Sequence, residues 1–366
     1  MCGTRAEIHL DRLRRNFAVL RGFAGGTRIC MPVKADAYGH GAVAIAETAL
    51  AEGAECLAVA RTQEGAELRR AGITAPILLL SQAVPEELDL LTACGLTPLI
   101  SDTEFAGALN ACAEKAGRVL SGHIKIDTGM GRIGCRPEDA PNLARYIASL
   151  KNLRYEGTAT HLACADDPAE TARKFTETQL ERFRKALDAV QRAGFDPGVR
   201  HAANSGAVLL RRDAYFDMIR PGILLYGYPP SPALAGIADV EPVMTLETEV
   251  VFIKTVKKGE TVSYGGTWTA PADTVIATLP VGYGDGLFRG LSGRHQVIIE
   301  GKSYPLVGRI CMDQCTADLG PDAPVKRWTQ ATVFADAADA AAKLRTIPYE
   351  ITCAVSKRVP RIYCSE

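Results

Sequence analysis

From its start to about Gly227 the chain alternates short β-rich runs with amphipathic, helix-like stretches, and this rhythm limits the fold more than any other feature. Strands joined by helix-length connections pair in parallel, because only a crossover brings the chain back in the same direction. The strand candidates are Ile29 to Lys34, Cys56 to Ala60, Pro76 to Ser81, Thr97 to Ile100, Val119 to Asp127, Tyr155 to His161, Val199 to Ala203 and Phe216 to Arg220. That makes eight, the number a (β/α)8 barrel needs, with a doubly wound open sheet as the competing architecture. Pro85-Glu86-Glu87 and Asp102-Thr103-Glu104 open two of the intervening helices, while Gly72, Gly117 and Gly194 follow the ends of three. Leu10, Leu13, Phe17 and Leu20 have helical spacing and predict a helix that caps or flanks the barrel.

After Tyr226 the segment GYPPSPALAGIADVEP has the proline, glycine and alanine content of a linker. From about Met244 to Leu319 the runs alternate and are β-branched, as in TLETEVVFIKTV, and Ala337 to Leu344 offers a helix. The reading is a barrel domain over 1–235 and a mostly antiparallel β domain over 236–366.

The chain balances 42 basic against 42 acidic residues and has no long like-charge run, so nothing points to nucleic acid or an anionic membrane surface. The N-terminal MCGTRAEIHLDRLRRNF is charged where a signal peptide is apolar, and the expected location is the cytoplasm. Its 11 cysteines form no framework, and Cys311 and Cys315 are not spaced as CxxC, so they read as reduced thiols. No metal site is expected.

In a (β/α)8 barrel the active site lies at the C-terminal ends of the strands. That rule selects Lys34, then Asp127 and Arg132, then His161, then Asn204 and Ser205, and last Arg220 with Gly222. The loops Asn204-Ser205-Gly206 and Arg220-Pro221-Gly222-Ile223 offer backbone N–H groups and a hydroxyl where such barrels bind phosphate. Each residue also has a plain structural role open to it. Lys34 can snorkel to water, Asn204 and Ser205 can cap a helix, His161 can be a core histidine, and Arg132 can pair with Asp127. Their convergence on one barrel mouth instead suits a phosphorylated aldehyde cofactor held through a lysine.

The stretches VKADAYGHG, KIDTGMGRIG, HAANSGA and IRPGILLYG, followed by VSYGGTW, VGYGDG and VGRICMDQ, run through nearly the whole chain. In this order they resemble the motifs of the alanine racemases, pyridoxal-phosphate enzymes with an N-terminal barrel and a C-terminal β domain. The resemblance implies that Lys34 carries the cofactor, that Tyr38, Ser205, Gly222 and Ile223 hold its phosphate, that His161 lies against its ring and that Arg220 faces the pyridine nitrogen. It implies that Arg132 and the backbone of Met312 receive the substrate carboxylate, and that Lys125 is a lysine often carbamylated to orient that arginine.

Racemisation needs a base on each face of the α-carbon, and the resemblance supplies Lys34 for one face and Tyr264 for the other. An ordinary tyrosine is only about one part in a thousand ionised at pH 7. Positive potential is therefore expected from His161 and Arg220. Without the resemblance Tyr264 is an aromatic packed on a sheet. Because Lys34 and Tyr264 fall in different domains, the family's head-to-tail homodimer implies active sites shared between subunits.

One position departs from the pattern. Lys357 in SKRVPRIY stands where family members often have a tyrosine that bounds the substrate pocket. The expected function is interconversion of L- and D-alanine, a small amino-acid substrate, supplying D-alanine for peptidoglycan. Serine is an additional or alternative substrate, and a cofactor carrier without turnover and a fold-related decarboxylase are the other classes.

Overall fold

The computed structural model describes residues 3–365. By contacts the chain forms two units, Leu13–Ala37 with Ala42–Glu241, and Met1–Arg12 with Tyr38–Gly41 and Pro242–Glu366. The division is discontinuous for a reason visible in the strand pairing below.

The first unit is a barrel of eight parallel strands: β2 (Arg28–Pro32), β3 (Cys56–Val59), β4 (Ile77–Leu79), β5 (Thr97–Ile100), β6 (Leu120–Lys125), β7 (Leu153–Ala159), β8 (Val199–His201) and β9 (Met218–Ile219). From β2 to β8 neighbours in sequence pair in space, and β9 pairs with β2, with Arg28 opposite Met218. Backbone bonds from Asp217 N to Arg200 O and from Arg220 N to Ala203 O tie the flanks of β8 and β9. All eight sequence-expected strands are present: Thr97–Ile100 matches in full, β2 begins one residue early, β7 lies two residues earlier than expected, and the others are trimmed at one or both ends. Strand β3 reads CLAV and β4 reads ILL with every residue buried, the continuous apolar run expected of a strand covered on both faces. The helices Ala42–Ala51, Thr103–Lys115 and Glu170–Arg192 lie in the connections, the second capped by Asp102 accepting from Phe105 N at 2.7 Å.

The second unit holds a nine-stranded, mostly antiparallel sheet, with the expected helix Ala337–Leu344 and a further one, Pro348–Ala354, before its last strand. Its strands alternate: Cys315–Gly320 buries every second residue, the mark of a sheet with one wet face. The N-terminal strand β1 (Arg5–His9) lies within this sheet, antiparallel to Met244–Glu249 on one side and parallel to Arg361–Cys364 on the other. It buries Ala6 and Ile8 there, which is why the first twelve residues leave the barrel unit. The ten cysteines among the described residues are free thiols, and Cys2 lies outside the described residues. No described helix is long and apolar enough to cross a membrane.

Candidate active site

Strand β2 delivers Lys34 by way of Val33, whose N–H bonds Ala58 O on β3 at 2.8 Å. The chain then does something its letters do not announce. Ala35, Asp36, Ala37 and Tyr38 all have positive φ, between 52° and 55°, and form a left-handed helical turn. Each such residue costs about 1–2 kcal/mol because Cβ crowds the following carbonyl. The restraint comes from outside the turn. Glu64, at the start of helix Thr62–Arg70, accepts N–H bonds from Ala35 at 2.6 Å, Ala60 at 2.8 Å and Arg61 at 3.0 Å. Bonds to a charged acceptor contribute about 1.5–3 kcal/mol each, the same order as the strain. Ala37 N bonds Val33 O at 2.9 Å and Asp36 accepts from Ala42 N at 2.8 Å, so both ends are pinned. Gly39 and Gly41 follow with φ of 86° and 93°, and a Cβ on them would collide with Thr352 O and the Tyr363 hydroxyl. Lys34 itself is half-buried.

Four further cations and imidazoles reach the same end of the barrel. Arg220, just past β9, is buried and donates to His201 Nδ1 at 2.5 Å, Thr160 O at 2.9 Å, and His161 Nδ1 and Ala202 O at 3.4 Å each. Burial lowers its pKa to about 10, which leaves it charged at neutral pH. The His161 imidazole is held well below the ordinary histidine value by burial and by the positive field of Arg220, Lys125, Arg132 and Lys34. It is therefore neutral, and of the two expected donors of positive potential only Arg220 is a cation. Lys125, at the end of β6 and 4% exposed, is pushed well below the usual lysine range by burial, Arg220 and Arg132. Arg132 is exposed, and among the described residues no ion pair joins it to Asp127. The Asp127 carboxylate instead accepts from the N–H groups of Gly129 and Gly131, at 2.9 and 3.1 Å, which lowers its pKa.

The structure also brings together two phosphate-site candidates. Ser205 Oγ, buried, accepts from Gly222 N at 2.9 Å and lies 3.5 Å from Leu224 N, on either side of Ile223. Asn204 takes the capping role left open above, accepting from Ala207 N at 3.1 Å. Tyr38 is buried beside Tyr349, ring centroids 5.8 Å apart, and burial raises its phenol so that the hydroxyl keeps its proton. Within the barrel unit an amine, a buried guanidinium, the Ser205 hydroxyl and backbone amides, with the neighbouring carboxylate Asp127 turned to its own loop, form a donor set that fits a dianionic aldehyde such as pyridoxal phosphate.

Tyr264 and Met312 belong to the sheet unit. Tyr264 sits in the turn Tyr264–Gly266, reached through Ser263 at φ 68°, whose hydroxyl donates to Arg309 O at 2.6 Å. Met312 O accepts from Gly284 N at 2.8 Å, and Tyr283 N bonds Cys311 O at 3.0 Å, so the loop 309–312 links the three side chains. In the single chain Tyr264 is 71%, Met312 53% and Tyr283 44% exposed. Lys357 is exposed, and its neighbour Arg358 pairs with Asp285 at 2.7 Å and Asp313 at 2.8 Å.

Sequence reasoning missed His123 and His201. The signal was the period of two along β6: His123 and Lys125 lie two residues apart and so share a strand face.

The family models for the alanine racemase N-terminal and C-terminal domains match residues 8–230 and 243–363. A relative called alanine racemase in Treponema denticola is 47% identical, covering 100% of this chain and 99% of its own. Solved alanine racemases from Clostridium difficile and Bacillus anthracis, the latter with bound L-Ala-P, are 36% and 33% identical with TM-scores of 0.95 and 0.94; both cover 100% of this chain, and 97% and 96% of theirs. With a matching barrel, a matching sheet unit and relatives of this identity along its whole length, the chain belongs to the alanine racemase family, isomerases that depend on pyridoxal phosphate.

Proposed function

We propose that the protein interconverts L- and D-alanine by a two-base mechanism. The observation that carries this reading is the gathering of Lys34, Lys125, Arg132, His161 and Arg220 at one end of the barrel of a chain whose full-length relatives are alanine racemases. Residues 1–235 would carry the cofactor and 236–366 the second base. Lys34, Tyr38, His161, Ser205, Arg220, Gly222 and Ile223 hold pyridoxal phosphate, with Arg220 as the cation beside a neutral His161. When bound, the cofactor supplies an electron sink for the pair left at the α-carbon.

The protein's own part is to place the substrate and move one proton. Arg132 and the Met312 backbone receive the carboxylate, Lys34 Nζ takes or returns the proton on one face, and the Tyr264 hydroxyl does so on the other. Lys125 is carbamylated: its neutral amine adds carbon dioxide and releases a proton, giving an anion between Arg220 and Arg132. Burial and the two guanidiniums keep the amine neutral and so able to add carbon dioxide, and the same guanidiniums then offset the cost of burying the anion. The solvent-facing Tyr264, Met312 and Tyr283 support a homodimer in which the sheet unit of one subunit completes the site of the other. D-Alanine made in the cytoplasm would serve peptidoglycan. Exposed Lys357, in place of a tyrosine, favours serine as a second substrate.

Cofactor-loaded protein incubated with a panel of L-amino acids is the test. D-Alanine is the expected product, with D-serine beside it; amine release, or a bound chromophore with no product, overturns the reading.

A further inference from the structure

We infer that His123 is a positioning residue for Arg220, acting through His201 by accepting its Nε2 hydrogen and so holding the bare Nδ1 toward the guanidinium. This rests on the reading that Arg220 faces the cofactor ring.

The guanidinium has donors only, so His201 Nδ1, 2.5 Å from Arg220, must accept. A neutral imidazole bears one hydrogen, which therefore sits on Nε2 of His201. That nitrogen is 2.8 Å from His123 Nδ1, which must in turn accept, leaving the His123 hydrogen on its Nε2. The row Arg220, His201, His123 thus has one consistent arrangement of protons. Protonating either ring on its accepting nitrogen would face one N–H with another, and moving the His123 hydrogen to Nδ1 would ask His201 to accept at both nitrogens with none of its own.

The surroundings hold the row in that state. His123 is 4% and His201 0% exposed, and their rings lie 5.1 Å apart at 59°. Burial with the positive field of Arg220 keeps both rings neutral, Arg28 adding to it at each and Lys125 at His201. The ring of His123 also packs on Gly157 of β7, where a Cβ would come within 2.8 Å of its Nδ1. A larger residue there would displace the ring, so β7 keeps the space that seats it. Because Arg220 reaches Thr160 O with its other terminal nitrogen, the bond to His201 sets the plane of the guanidinium.

The test uses cofactor-loaded protein labelled with 15N-histidine, alongside His123→Leu and His123→Asn. The asparagine oxygen can stand where Nδ1 accepts, and leucine cannot. The expected spectrum of the unsubstituted protein shows His201 protonated at Nε2. His123→Leu should lose at least tenfold in kcat with KM for L-alanine little changed, its His201 signals should report mixed tautomers, and its cofactor absorption band should shift. His123→Asn should keep the tautomer, the band and most of kcat. A hydrogen on Nδ1 of His201 in the unsubstituted protein overturns the inference, as does an Asn variant as impaired as the Leu one or a Leu variant with unaltered kcat and band. If His123→Leu fails to fold, the tautomer and the Asn variant decide in the same way. An unsubstituted protein that makes no D-alanine would sink the functional reading while leaving the tautomer result standing.

Discussion

Burial changes what a basic side chain is. The His123 pKa falls to about 4, because a charged ring would be stranded without water beside Arg220 and Arg28. The unfolded chain, with histidine near 6.5, binds more protons below that value, so the stability present above pH 6.5 is lost as pH falls toward 4. For His123 alone that is about 3 kcal/mol at pH 4, and His161 and His201 act in the same direction. Urea denaturation at pH 7, 6 and 5 should show midpoints dropping in that order; a flat series would mean the rings are not buried neutral. At Lys125 the expected outcome is a carbamate signal in 13C spectra after 13C-bicarbonate is added, absent in Lys125→Ala. His161 and Arg220 were legible in the sequence because each stands at the end of a strand that could be counted, whereas His123 and His201 were not singled out and Lys125 came from the family resemblance. The neutrality of His161 was not legible, because it depends on burial and on the charges of Arg220, Lys125, Arg132 and Lys34, which lie elsewhere in the chain.

At the scale of an element, the turn after Lys34 is the feature least visible in the sequence. Ala-Asp-Ala-Tyr contains no glycine, and nothing in those letters favours a left-handed coil. The conformation is imposed by tertiary partners, Glu64 above all, which lies beyond an entire helix and strand. Glu64→Ala should cost about 2 kcal/mol, after allowance for a partly exposed carboxylate, and Glu64→Gln, keeping one acceptor oxygen, about half as much. Urea midpoints check this, and equal losses would show that the charge, not the acceptor, matters. The barrel strands, by contrast, were readable from β-rich runs between helix signals, since their burial demands apolar side chains on both faces.

At the scale of the whole molecule, the two proposed bases lie on different contact units, Lys34 with the barrel and Tyr264 with the sheet. A Lys34→Ala protein and a Tyr264→Phe protein, each inactive alone, should regain activity after subunit exchange, since some mixed dimers would hold one intact site. Recovery of nothing would mean that each chain supplies both bases of its own site. The linker composition marked the change from barrel to sheet, but the passage of β1 into the sheet was hidden. A strand of five residues takes its partners from anywhere in the chain.

That placement of β1 bears on how the protein is made. A ribosome releases Arg5–His9 long before Met244–Glu249 exists, and longer still before Arg361–Cys364, so the barrel can close cotranslationally while its predecessor in the chain waits with both edges open. The first strand synthesised is thus among the last to be seated. Nascent chains stalled after the linker should hold a folded barrel behind a protease-sensitive leader that becomes protected only when the final strand emerges.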